Sequence, residues 1–175
     1  MKSKKNALSL ALSLLSRKAL TVYEIEKRLL AKECAKEEIT EAVARLQEWG
    51  YLNDREYALG FCRSYSHRKS RRKIREDLRL RGINPELIAK VLSECYSEEE
   101  EFEFCLLFAG KIKEELLKQN RRTRIFEHEA QTPDWEAKHL MYAKIGRRLE
   151  GKGYPPVMIH KALQHLRAEN EEENS

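Results

Sequence analysis

One spacing pattern occurs three times in this chain and leaves few folds open to it. Ile25, Leu29, Glu33, Cys34, Ile39 and Val43 are matched by Ile74, Leu78, Gly82, Ile83, Ile88 and Leu92. They are matched again by Ile145, Leu149, Gly153, Tyr154, Ile159 and Leu163. Apolar residues four apart lie on one stripe of an α-helix, so each set predicts helix, tight turn, helix. Gly82 and Gly153 fall where a helix ends in the left-handed conformation, which glycine adopts without a Cβ penalty. Chance periodicity in an ordinary bundle is the bland alternative, and the agreement of turn and start signals speaks against it.

Those start signals are specific. Thr21-x-x-Glu24, Asn53-x-x-Glu56 and Ser97-x-x-Glu100 read as capping boxes, in which side chain and backbone satisfy each other at a helix N-terminus. Asn84-Pro85 and Thr132-Pro133 place a cap before a proline at the first helical position. Each helix pair is preceded by a further helix: Asn6 to Lys18, Asp54 to about Lys69, and Glu98 to about Gln119. The fold expected is all-α, three tandem three-helix repeats in an elongated, curved array. The repeats span 6–52, 53–96 (basic) and 97–168, with an acidic tail at 169–175. The copies lie 49 residues apart (Leu29 to Leu78) and then 71 (Leu78 to Leu149). The surplus is a polar insertion around 120–131, a linker or a helix extension.

Composition agrees: of 175 residues only seven are glycine and four proline, too few for many short strands. No apolar run approaches the roughly 18 residues of a membrane span. The basic, then apolar, N-terminus ends in Arg17-Lys18 without a small-residue cleavage site, so a cytoplasmic chain is expected. Cys34, Cys62, Cys95 and Cys105 are dispersed, with no metal spacing; Cys62 and Cys105 sit in apolar stretches and read as buried thiols.

The net charge of +5 hides larger local imbalances. Arg63 to Arg81 holds nine Lys or Arg against two acids, whereas Glu94 to Glu103 holds six acids and no base. On helix geometry Arg68, Arg72, Arg75 and Arg79 step by four, three and four, away from Ile74 and Leu78. That is a positive stripe along about 16 Å, suited to a phosphate track or an acidic groove. Lys69, Arg71, Lys73 and Arg81 flank it. Lys144, Arg147, Arg148 and Lys152 form a second basic patch on the corresponding helix of the third set, with a plain solvated face as its alternative. The aromatics read as mostly structural: Trp49, Tyr57 and Phe61 fall on helical spacings toward a core, and only Tyr65 stands among the arginines where stacking on a base would require it.

The segment Gly50-Tyr51-Leu52-Asn53-Asp54-Arg55-Glu56-Tyr57-Ala58 resembles the Gly-Tyr-Leu-Asp-Asp-x-x-Phe-Ala signature of RecX regulatory proteins. Arg72-Lys73-Ile74-Arg75-Glu76-Asp77-Leu78-Arg79-Leu80-Arg81-Gly82-Ile83 is similar to that family's Arg-Ile-x-x-Glu-Leu-x-x-Lys-Gly-Ile element. Thr21-x-x-Glu24-Ile25-x-x-Arg28-Leu29 resembles its opening, and Arg148-Leu149-x-x-Lys152-Gly153-Tyr154 its third repeat. The resemblance covers roughly residues 7 to 166. His67-Arg68-Lys69-Ser70-Arg71-Arg72 replaces the family's Gly-Tyr-Gly-Pro-like turn, and Glu33 stands where glycine is usual.

The resemblance implies a curved, all-helical modulator of the bacterial recombinase RecA. Such proteins bind the groove of the recombinase–DNA filament and suppress its ATPase, strand-exchange and coprotease activities. The partners implied are the RecA filament and single- and double-stranded DNA without sequence preference, bound by a monomer that spans no membrane. A stand-alone, sequence-nonspecific DNA-binding helical module is the main rival, and a pure protein adaptor the other. Neither catalysis nor a cofactor or metal is expected. There is no Gly-rich phosphate loop and no His-Glu-x-x-His, and Glu127-His128-Glu129 reads as a solvated segment.

Overall fold

The computed structural model describes residues 6–95, 97–126 and 134–172. All regular structure among them is helical: α1 (Ala7–Leu15), α2 (Val22–Leu30), α3 (Lys36–Glu48), α4 (Asp54–Tyr65), α5 (Arg71–Leu80), α6 (Pro85–Cys95), α7 (Glu98–Phe126), α8 (Asp134–Gly151) and α9 (Pro156–Glu172). The polar insertion is a helix extension as far as Phe126. Its remainder, with Glu127-His128-Glu129 and Thr132-Pro133, lies outside the described residues, as does the end of the acidic tail.

Most of the helices up to α7 begin where side chains satisfy their first N–H groups; α3, which follows Ala35, has no side-chain cap. Thr21 Oγ1 accepts from Glu24 N at 3.2 Å while the Glu24 carboxylate accepts from Thr21 N, a complete capping box. Ser97 and Glu100 form another. Asn53 and Asn84 accept from the first-turn N–H groups of α4 and α6. Such caps stabilise a helix by about 1 kcal/mol each. Ser70 is a cap the sequence did not announce: its Oγ accepts from Lys73 N, so α5 starts at Arg71. The helix expected to run from Asp54 to about Lys69 therefore stops at Tyr65, and residues 66–70 form a turn.

The helices end in the turn that the repeated spacing announces. Gly82 (φ 78°) and Gly153 (φ 87°) are left-handed, and so is Glu33 (φ 60°), which occupies the same place without a glycine's freedom. Beyond each, the next N–H folds back to the same carbonyl: Cys34 to Leu29, Ile83 to Leu78, Tyr154 to Leu149. This closes helix carbonyls that would otherwise be orphaned.

The contacts divide the chain into two compact units, Met1–Tyr65 with Ile74–Cys95, and Ser66–Lys73 with Tyr96–Ser175. In the first, α1–α3 close over Ala11, Ile25, Leu29, Val43 and Leu46. There α4 packs on α6 over Ala58, Cys62, Ile88 and Leu92, with Ile74 and Leu78 of α5 also fully buried. In the second, α7–α9 close over Cys105, Ala109, Ile145, Leu149 and Ala162. Each large side chain so buried stabilises its unit by about 1.5–3 kcal/mol.

A carboxylate on a following helix caps an earlier one in each unit. Asp54 Oδ1 of α4 accepts from Val22 N at 2.9 Å, and Glu101 Oε1 of α7 accepts from Arg71 N at 2.8 Å. Val22 and Arg71 are 49 residues apart, the spacing of the first two copies.

Candidate nucleic-acid interface

α5 is strongly amphipathic: its buried side is Ile74 and Leu78, and its exposed positions are Arg72, Arg75 and Arg79 with Glu76 and Leu80. The three arginines set guanidinium groups along about 10 Å of helix. Arg68 is exposed too, but it lies in the turn before the Ser70 cap, so it is not part of the helical stripe the sequence spacing placed it in. Lys69, Arg71 and Lys73 are half-buried beside the turn. Arg71 serves there through its backbone, whose N–H is held by Glu101.

Arg81 is a packing arginine. Its guanidinium lies 5.1 Å from the Phe61 ring centroid and 3.5 Å from the Glu24 carboxylate, and its Nε is buried without an acceptor among the described residues. A guanidinium over an aromatic ring that also reaches a carboxylate is a contact that lysine reproduces poorly.

The second patch is mixed. Lys144 and Arg147 are exposed on α8, and among the described residues neither is held in an ion pair. Arg148 pairs with Glu115 at 3.0 Å, and Lys152 stands 4.1 Å over the Phe108 ring. Those two hold α8 to α7 as well as adding charge.

One aromatic assignment changes. Trp49, expected at a core, is exposed and meets the exposed Tyr51 edge to face at 6.5 Å; Leu52 takes the buried place after Gly50. Tyr65, the one aromatic among the arginines that could have stacked on a base, is half-buried and leans on Phe61 at 4.5 Å, a structural place like that of most of the aromatic residues. Helical spacing alone cannot tell which end of a helix outruns its core.

Burial and nearby Glu101 push the Cys105 thiol up to about 12, far from a reactive thiolate. Burial also raises the Tyr154 phenol. Among the described residues no group of three His, Cys, Asp or Glu could hold a metal ion, and no helix is long and apolar enough to cross a membrane.

The class this defines is a tandem of three-helix units with a cationic helix face. Comparison with known proteins names its kind. Residues 7–46 match the model of the first three-helix domain of RecX, and 53–92 that of the second. The chain is 38% identical over 110 residues to the regulatory protein RecX of Caldanaerobacter subterraneus subsp. tengcongensis, covering 62% of this chain and 56% of that one. It is 30% identical over 165 residues to that of Bacillus cereus, covering 93% and 54%. The chain thus spans about half the length of these relatives. The crystal structure of RecX from Lactobacillus salivarius superposes with a TM-score of 0.71 at 22% identity, covering 93% of this chain and 95% of that one. A second RecX crystal structure does so at 0.69 and 23%, covering 89% and 70%. The chain belongs to the RecX family of regulatory proteins.

Proposed function

We propose that this chain regulates the RecA recombinase. It binds the recombinase and its nucleoprotein filament through basic helix faces, and so inhibits ATP hydrolysis, strand exchange and coprotease activity. One observation carries the reading: a family member of regulatory type presents Arg72, Arg75 and Arg79 together, exposed, on one face of α5. Arg68, Lys69, Arg71, Lys73, Lys144 and Arg147 add to the field, and Arg81, Arg148 and Lys152 contribute charge from structural positions. Such contacts are individually weak and salt-sensitive, and their number supplies the strength. The partner DNA is single- or double-stranded and unselected by sequence, and the chain acts as a cytoplasmic monomer without a cofactor. α7–α9 form the third three-helix repeat, within 97–168, after those of 6–52 and 53–96; the carboxylate cap that recurs at Val22 and Arg71 supports that division.

The test is inhibition of single-strand-dependent ATP hydrolysis by the cognate recombinase at substoichiometric amounts of this chain. The quadruple change of Arg68, Arg72, Arg75 and Arg79 to Glu is expected to abolish inhibition while leaving the helical circular dichroism intact. No inhibition by the unaltered chain at any ratio, with DNA binding retained, would leave a nonspecific DNA-binding module in its place.

A further inference from the structure

The 49-residue spacing that superimposes Ile25 on Ile74 and Leu29 on Leu78 also superimposes Tyr23, Glu26 and Leu30 on Arg72, Arg75 and Arg79. The helix face that is arginine on α5 is therefore aromatic, acidic and aliphatic on α2. Tyr23 and Leu30 are 44% and 56% exposed there, although Ile25 and Leu29 of the same helix are fully buried. They line a surface cavity of about 440 Å³ between α2 and α3, with Ile39 at its base and Lys27 and Lys36 in its wall. Tyr23 is held in place, since its Cβ and Cγ occupy the space a side chain on Gly82 would need. The Lys27 ammonium stands 5.9 Å from its ring centroid.

We infer that this α2/α3 cavity is a protein-docking site, taking a segment of the recombinase surface that presents an apolar side chain beside a carboxylate. It rests on the proposed function and divides that function between two faces. The apolar floor fits an aliphatic or aromatic anchor, and the two ammonium groups against the single Glu26 fit a neighbouring acid. A phosphate track fits poorly: the cavity is lined largely by apolar surface and has no arginine to form the forked contacts that phosphates favour. A second copy of the chain fits poorly as well. A two-fold contact sets each patch against itself, bringing Lys27 and Lys36 against their own kind.

The substitution Leu30→Gln removes the apolar contact from an exposed position and keeps a good helix former. The pair Lys27→Glu with Lys36→Glu reverses the charge. Three measurements are made on each full-length variant: affinity for DNA-free recombinase, fluorescence anisotropy with an oligo-dT strand, and sedimentation. The expected result is a loss of about tenfold or more in recombinase affinity, with oligo-dT binding within about twofold. Recombinase affinity unchanged in both variants overturns the inference. So does a loss confined to oligo-dT, or a loss confined to self-association. If the unaltered chain does not bind recombinase at all, the proposed function falls and this inference with it; if it binds and the variants bind equally, only the inference falls.

Discussion

The hydroxyl of Thr21 donates to the backbone carbonyl of Arg81 at 2.7 Å across sixty positions of sequence. The same oxygen accepts from Glu24 N, so one fully buried group caps α2 and holds the carbonyl beyond the end of α5. A counterpart exists: Ser70, also fully buried, caps α5 and donates its backbone N–H to Lys152 O at 3.3 Å. Thr21 and Ser70 are separated by 49 residues, Arg81 and Lys152 by 71, the spacings of the repeated pattern itself.

Replacing Thr21 by Val keeps the shape and removes both hydrogen bonds. Loss of a cap and an unsatisfied buried carbonyl together cost about 1–3 kcal/mol. Urea denaturation followed at 222 nm measures this, and Thr21→Ser is expected to recover most of the loss.

Gly82 and Gly50 share left-handed backbones, φ 78° and 74°, but differ in surroundings. Nothing lies within 4 Å of a Cβ built on Gly50, whereas one on Gly82 meets Tyr23. Gly50→Ala is expected to cost the conformational penalty of about 1–2 kcal/mol. Gly82→Ala adds overpacking and is expected to cost at least about 1 kcal/mol more. Equal losses in thermal denaturation would contradict the packing argument.

Salt dependence separates the exposed arginines from the structural cations. Changing Arg72, Arg75 and Arg79 to Gln is expected to reduce the slope of log affinity against log salt for single-stranded DNA by about 2. Lys152→Met, which keeps a long apolar stem against Phe108, is expected to change that slope by less than about 1.

Asp54 tests the acid limb of the stability curve. Burial lifts its carboxyl above the ordinary 3.8, outweighing the Val22 N–H bond, and Glu24 adds to the rise. The folded chain then holds this proton more tightly than the unfolded one, so the contribution favours folding at low pH and is lost as pH rises through the elevated value. Asp54→Asn keeps an acceptor for Val22 N without the charge. It is expected to flatten that fall and to be no less stable at pH 7, while Asp54→Ala is expected to lose stability at every pH.

The Tyr154 hydroxyl is buried with no hydrogen-bond partner among the described residues. Tyr154→Phe removes a desolvated group without opening a cavity, so its stability is expected to equal or exceed that of the unaltered chain. A loss above about 1 kcal/mol in urea would reveal a bond that this geometry lacks.

The helices, their left-handed turns and most of their caps were legible in the sequence because they are local. Apolar residues four apart, a glycine or Glu33 at the turn, and Thr21-x-x-Glu24 each act within a few residues of chain. The arginine face of α5 was legible for the same reason, as its register follows from Ile74 and Leu78. Arg68 fell outside it because Ser70 caps the helix after it, a choice made by the packing of Ser70 against Lys152 and Gly153. Only the tertiary structure decided which cations are held, Arg81 by Phe61 and Glu24, Arg148 by Glu115, and which aromatic residues outrun the core, Trp49 and Tyr51. Those outcomes depend on side chains brought together from distant positions, and hydrophobic periodicity carries no record of what a face will meet.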